Sequence, residues 1–225
     1  MPSAARSAVA PLYLLACLIL GGSAQGVWQS AILQLVGLAI IAWAASSSSV
    51  ERLPPSVTAL LMLGLVAVLV VALQSVPMPP SIWAKDARER IAEGYGLLGQ
   101  PVPALPISLT PYASLSTLLC LIPPLAMFCA VAVLPAGRAS WLAAALIAGT
   151  LASVVLGVLQ VASTDPAASP WYLYSETIFG SAVGFFANAN HMAILLVMAL
   201  PFTAAIASAA KGASAQRYSA LLSMK

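Results

Sequence analysis

The chain has 225 residues, of which 61% are hydrophobic and only 7% are Asp, Glu, Lys or Arg, against roughly a quarter charged residues in an ordinary soluble domain. So few charges could not cover a water-soluble surface of this size, which excludes a cytosolic globular enzyme, a disordered chain and a disulfide-stapled secreted module. The net charge of +3 gives no reason to expect nucleic acid as a partner, and Cys17, Cys120 and Cys129 lie in apolar stretches with no spacing that suggests a disulfide framework or a zinc site.

Six apolar stretches follow in order, at about 9–25, 28–45, 56–76, 113–135, 141–162 and 190–210. At 1.5 Å rise per residue each can cross about 30 Å of hydrocarbon, the first only just. Only a helix satisfies its own backbone hydrogen bonds in lipid. The expected fold is therefore all-α, a polytopic membrane helix bundle forming a single transmembrane domain over 1–225. The first stretch has a competing reading. Arg6, the apolar run from Val9 to Leu20 and the Gly-Gly-Ser-Ala before Gln25 resemble a cleavable signal peptide; the next span follows almost at once, which favours a retained helix.

Charge placement sets the orientation. With the N-terminus cytoplasmic, Arg6, Glu51, Arg52, Arg138, Lys211, Arg217 and Lys225 fall inside. Lys85, Asp86, Arg88, Glu89, Arg90, Glu93, Asp165 and Glu176 fall outside. Six basic residues inside against three outside obey the positive-inside rule and place both termini in the cytoplasm. Ser46–Ser49 form a short polar inner turn, and no internal repeat is visible.

Two outer loops carry the polar information. The first, about Pro77–Pro111, opens with Val-Pro-Met-Pro-Pro, which cannot continue a helix. From Ser81, a candidate cap, Trp83, Ala87, Ile91 and Tyr95 recur every fourth residue, while Lys85/Glu89 and Asp86/Arg90 are spaced to pair at i,i+4. This pattern predicts one short amphipathic helix in the outer interface, with Trp83 and Tyr95 at headgroup level. Pro101, Pro103 and Pro106 then extend the return to the fourth span.

The second outer loop, about Ser163–Asn188, holds Trp171, Tyr172 and Tyr174 and ends in Gly184-Phe-Phe-Ala-Asn-Ala-Asn-His191. Polar side chains at membrane depth are costly unless paired or wetted. Two residues subtend about 200° on a helix, so Asn188 and Asn190 cannot share a face. A broken or capped helix start is expected, with either asparagine as N-cap, and such a start can hold an anionic group. Plain capping is the simpler alternative. His191, the only histidine, has no triad partner and no ligand set around it, so neither a catalytic residue nor a metal site is assigned. Arg88 and Arg90 could grip a phosphate, although solvated, acid-paired charge explains them as well. The loop aromatics suit membrane anchoring or sugar stacking, and Gln160 suits helix packing or a cavity wall. Pro123, Pro124 and Pro201 inside spans predict kinks.

Four pieces in order carry a family resemblance: Leu73-Gln-Ser-Val-Pro-Met-Pro-Pro-Ser-Ile-Trp83, Pro106-Ile-Ser-Leu-Thr-Pro-Tyr112, Gly157-Val-Leu-Gln160 and Gly184-Phe-Phe-Ala-Asn-Ala-Asn-His-Met-Ala193. Together they resemble the N-terminal half of the O-antigen ligase/O-antigen polymerase superfamily of bacterial inner-membrane glycosyltransferases. The resemblance implies transfer of a glycan from an undecaprenyl diphosphate carrier, on the periplasmic side, to lipid A-core or another lipid-linked glycan. It implies no cofactor, metal or nucleotide sugar. It points to Gly184, Asn188, Asn190, His191, Arg88 and Arg90 as substrate-binding residues. Two departures stand out. No arginine precedes the Gly-x-Phe element, where the chain reads Gly180-Ser-Ala-Val. The family's later half, with its basic periplasmic loop, is not in this sequence, so the resemblance implies a C-terminal half that would have to complete the catalyst. A small polytopic transporter and a non-catalytic membrane scaffold are the alternatives; the near absence of charge inside the spans speaks against ion coupling.

Overall fold

The computed structural model describes residues 3–23, 27–47, 53–132 and 139–222. Glu51, Arg52, Arg138 and Lys225, four of the charges used for orientation, lie outside the described residues, as do Ser48 and Ser49. In chain order the helices begin with α1 (Ser3–Leu20), α2 (Val27–Ala45) and α3 (Pro55–Ser75). A loop follows that holds β1 (Pro77–Met78), α4 (Pro80–Trp83), a 3₁₀ turn (Asp86–Arg88), α5 (Glu89–Leu97) and β2 (Leu105–Pro106). Then come α6 (Pro111–Ala132), α7 (Ala139–Val161) and α8 (Ala189–Leu222). Among the described residues five segments are long and apolar enough to cross a membrane, within α2, α3, α6, α7 and α8, and Ala5–Leu20 of α1 is a shorter apolar helix. The protein is an all-α polytopic membrane bundle.

Each long helix falls where hydropathy places it, with one shift. α1 begins near Ser3 and ends at Leu20, earlier at both ends than the expected 9–25. The Gly21-Gly22 pair ends it, and the Gly21 N–H still reaches back to Cys17 O at 2.9 Å. Pro11, Pro123, Pro124 and Pro201 lie inside helices that run on through them. α8 has 34 residues, about 50 Å at 1.5 Å per residue, so it outruns the hydrocarbon core.

The chain forms two compact units, one of Met1–Val36 with Val133–Lys225 and one of Gly37–Ala132. In the first, α1 packs along α7, and α7 along α8. α7 offers a buried face of small residues four apart, Ala145, Gly149, Ser153 and Gly157. Without a hydrophobic drive between helices in lipid, such small residues let backbones approach and gain dispersion contacts. A Cβ on Gly149 would stand 2.7 Å from Leu18 Cδ1 and 3.3 Å from Leu15 Cδ2, so the glycine is the seat of α1. α1 in turn ties to α2 through the buried Tyr13 hydroxyl, which donates to Leu33 O at 2.8 Å.

In the second unit α3 packs on α6, with Gly64 taking Leu125 at close range. No residue of α3 is buried: Val57, Leu61, Gly64, Val68 and Val71 make one half-covered side, and most of the rest of the helix is exposed, as suits a span with a single neighbour and apolar side chains turned to lipid elsewhere. Pro54 and Pro55 start α3, and Val76, extended ahead of Pro77, stops it. The loop between α3 and α6 closes on itself. β1 and β2 pair antiparallel, Pro77 opposite Pro106 and Met78 opposite Leu105, and the Ser108 N–H donates to Gln74 O at 2.9 Å.

The single amphipathic helix expected from Ser81 is in fact two helices around a break. Pro79 and Pro80 start α4, so Ser81 is not the cap. The chain then turns through Asp86, whose φ of 51° is left-handed. Trp83 is not a headgroup anchor: it is 3% exposed, and its indole N–H donates to Pro103 O at 3.1 Å. Ala87 and Ile91, expected on the same face, are exposed. The break removes the continuous i,i+4 register, and Lys85, Asp86, Glu89 and Arg90 all point to solvent.

Candidate functional site

The C-terminal end of α7 and the start of α8 are joined by residues 162–188, and two polar side chains on α7 determine how that loop lies. Gln160 is 0% exposed. Its Nε2 donates to Trp171 O at 3.1 Å and Gly184 O at 2.9 Å. Its Oε1 accepts the N–H groups of Val183 at 2.9 Å and Gly184 at 2.8 Å. Both donors and both lone pairs of the amide are used. Ser153, two turns back on the same face, is equally buried. Its hydroxyl accepts the Phe185 N–H at 3.2 Å and donates to Met192 Sδ at 3.2 Å.

Gly184 sits between these two. Its φ is +59°, a conformation open to glycine and costly for residues with a Cβ. A Cβ there would also run into Ser153 Oγ. Gly22 receives the other side of the turn: its carbonyl accepts the Ala187 N–H at 3.1 Å, and a Cβ on it would overlap Phe185 O. Thr177 Oγ1 donates to Ala187 O at 3.0 Å.

Asn188 caps α8. Its Oδ1 accepts the Asn190 N–H at 2.8 Å, and its carbonyl accepts the His191 N–H at 3.1 Å. This satisfies part of what a helix start otherwise leaves open. Asn188 is half-buried and committed to the cap, whereas Asn190 and His191 are exposed side by side on the first turn. The His191 ring meets Phe186 edge-on, with centroids 5.9 Å apart. The loop aromatics brace rather than decorate. Tyr172 Oη accepts the Gly180 N–H at 2.8 Å and donates to Ser181 O at 3.1 Å, and its ring meets Phe179 edge-on at 5.1 Å. Tyr174 lies against Gly22, and its burial pushes the phenol pKa up while a hydrogen bond with the Gly22 backbone pulls it down by less. Trp171 stays exposed.

Gly184, Asn188, Asn190 and His191 thus form one element. Arg88 and Arg90 belong to the other unit, and they differ from each other. Arg88 is half-buried; its Nη1 donates to Pro106 O at 3.0 Å and Ile107 O at 3.1 Å, and its guanidinium lies 5.1 Å from the Trp83 ring centroid. Its Nε is buried without a hydrogen-bond partner. Arg88 is therefore a staple between the loop's two arms, and Arg90 is the solvent-facing cation.

Sequence reasoning missed Ser153, whose signal is its place in the small-residue row and its seven-residue spacing from Gln160. Gln160 itself turns out to organise the loop rather than a helix pair. Among the described residues no group of three His, Cys, Asp or Glu side chains converges. No family model, curated protein or solved structure matches the chain.

Proposed function

We propose that this protein is an O-antigen ligase- or polymerase-like component of a bacterial inner membrane, with both termini cytoplasmic. In this reading it engages a glycan carried on undecaprenyl diphosphate and presents it to lipid A-core or another glycan acceptor on the periplasmic side. The observation that supports the reading is the Gly184–His191 element. Two buried hydrogen-bonding side chains fix its backbone, a cap completes its helix start, and Asn190 and His191 are left exposed, His191 with its ring steadied edge-on by Phe186. A rigid backbone with free amide and imidazole groups suits a neutral, hydroxyl-rich ligand next to an anion, because preorganised donors bind without an ordering cost. Arg90, in the other unit and considered by itself, is an exposed cation of the kind a diphosphate attracts.

No triad or metal-like cluster exists among the described residues, so the reading assigns binding and orientation to them and leaves catalysis to groups supplied from elsewhere. Among the described residues no Asp, Glu, Lys, Arg or His is buried, which fits recognition by hydrogen bonding better than ion-coupled transport.

The test is glycan transfer from undecaprenyl diphosphate-linked donor in membranes containing the protein. Asn190→Ala should lower transfer about tenfold, the loss of a hydrogen bond of ~1.4 kcal/mol, at unchanged protein level. Transfer equal to that of the unaltered protein would remove the proposed role.

A further inference from the structure

Charge and apolarity divide along the chain in the loop between α3 and α6. All six of its charged residues fall between Lys85 and Glu93. From Gly94 through α6 and on to Gly137 there is no Asp, Glu, Lys or Arg. The uncharged part of the loop is nevertheless not packed away. No residue of α5 is buried. Leu97 and Leu98 at its end are 90% and 72% exposed, and Leu109, ahead of α6, is 78% exposed. Leucines this bare gain from any apolar cover, in proportion to the area covered.

α5 has two sides. At about 100° per residue, Ile91, Tyr95 and Leu98 fall within about 60° of one another, and Glu89, Arg90 and Glu93 fall on the opposite side. Ile91 and Leu98 are exposed, so the fold leaves the apolar side open, and Leu97 adds to it at the C-terminal end. That end makes its own hydrogen bonds. Gly99, left-handed at φ +66°, turns the chain back. The N–H groups of Leu98, Gly99 and Gln100 donate to Gly94 O at 3.2 Å, Gly96 O at 3.0 Å and Tyr95 O at 2.9 Å. The leucines can therefore leave water without stranding these donors. Beside Leu109, Ser108 Oγ shares a hydrogen bond with Ser114 Oγ at 2.7 Å and accepts the Thr110 N–H at 3.2 Å.

Three features select lipid rather than a protein as the cover. The loop is tied down at the ends of two spans, by the β1–β2 pairing and by the Ser108 N–H on Gln74 O. Tyr112 at the start of α6 is exposed, as are Leu115 and Leu119 three and seven residues on, so the open face of that span runs on into Leu109. Finally, every exposed large hydrophobic residue between Pro77 and Pro111 is leucine or isoleucine. Protein interfaces favour aromatic and arginine anchors, and here Trp83 and Arg88 engage each other.

We infer that this loop is an anchor on the near leaflet of the bilayer. α5 lies tilted on the surface with Leu97 and Leu98 inserted about 5–10 Å into the boundary between headgroups and acyl chains. Leu109 enters at the head of α6, Tyr112 sits at headgroup level, and the charges of 85–93 stay in water. The leucine tip, not Trp83, carries the insertion.

The experiment uses the full chain with Cys17, Cys120 and Cys129 replaced by alanine, carrying a single cysteine with a nitroxide label, in phosphatidylcholine nanodiscs. Power-saturation spectra report collisions of the label with oxygen, which concentrates among acyl chains, and with a water-soluble nickel chelate. Labels at the exposed positions Leu97, Leu98 and Leu109 should collide more often with oxygen than with the chelate. Labels at Glu89 and Glu93 should show the inverse order. Leu97→Asp in the chain labelled at Leu98 should shift that label toward the chelate. Chelate access at Leu97 and Leu98 equal to that at Glu93 would put the tip in water and overturn the proposal. Protection from both reagents would mean that protein covers the tip, with dipolar broadening between labels if the cover is a second copy, and either result would overturn it. So would a Leu98 label unmoved by Leu97→Asp. No glycan is present, so the outcome is independent of glycan transfer.

Discussion

At Gly184 the backbone conformation and the lack of space argue in the same direction. A side chain there must enter the left-handed region, at about 1–2 kcal/mol, and must displace the Ser153 hydroxyl, which overpacking places at about 1–3 kcal/mol. Gly184→Ala should therefore lower the melting temperature of the detergent-solubilised protein. Combining it with Ser153→Ala should recover only the steric part. Gln160→Leu is the more severe change, because it strands two N–H groups and two carbonyls at roughly 1–3 kcal/mol for each buried group left unpaired. Gln160→Glu keeps the acceptor but faces Gly184 O and Trp171 O with no donor unless protonated, so its stability should fall as pH rises. Asn188→Ala removes a cap of about 1 kcal/mol, while Asn188→Asp keeps it; thermal melts distinguish the two. Tyr174 supplies a pH dependence of its own. Burial holds its proton in the folded state above the ordinary phenol value of 10.0. The unfolded chain loses that proton first, so stability should decline as pH rises through and beyond 10, and Tyr174→Phe should flatten that decline.

Among the elements, the spans were legible because twenty apolar residues in a row admit one solution in lipid. Their ends were legible where proline or asparagine marks them, as at Pro55 and Asn188; the end of α1 at Leu20, just before Gly21-Gly22, was not, since the apolar run reads on to about 25. The loop between α3 and α6 was not. The every-fourth-residue pattern from Trp83 to Tyr95 is a true helical period, but Asp86 in a left-handed turn breaks it, and no local signal announces that an aspartate will take that conformation. Trp83 was misplaced for the same reason: composition cannot tell an interfacial tryptophan from one covered by its own loop's Pro103 and Arg88. Asn188 could be read as a cap from spacing, whereas the Ser153 and Gln160 anchors depend on contacts 11 to 39 residues away along the chain. The Arg88 staple yields an element-scale prediction. Arg88→Ala should cost about 2 kcal/mol of local stability, from a cation–π contact and carbonyl hydrogen bonds. Trypsin should then cleave faster at Lys85 and Arg90 in intact membranes. Arg88→Lys should rescue little, because an ammonium lacks the planar fork, and Arg90→Gln should leave the loop's cleavage at Lys85 unchanged.

For the whole molecule, the decisive question is whether α1 crosses the membrane. Its apolar part, Ala5–Leu20, has 16 residues and spans about 24 Å at 1.5 Å per residue, some 6 Å short of the hydrocarbon core. Mismatch costs fractions of a kcal/mol per Å, so the shortfall is a few kcal/mol at most. Against it stands the packing of Ala10 and Tyr13, both buried, and of Leu15 and Leu18 on Gly149 of α7. A helix held along a spanning neighbour in this way should span too, with Arg6 reaching the interface at its N-terminal end; on the proposed orientation that interface is the cytoplasmic one. In a protein with Cys17, Cys120 and Cys129 replaced by alanine, a cysteine at Ser3 should resist an impermeant maleimide in spheroplasts and react in inverted vesicles. A cysteine at Gln100 should show the reverse. Reaction of the Ser3 cysteine in spheroplasts would mean that α1 does not cross; the five longer spans would then leave the two termini on opposite sides. Gly149→Leu should push the outcome that way by unseating α1, and Leu18→Ala in the same chain should restore the original pattern if the contact between them is what holds the helix upright.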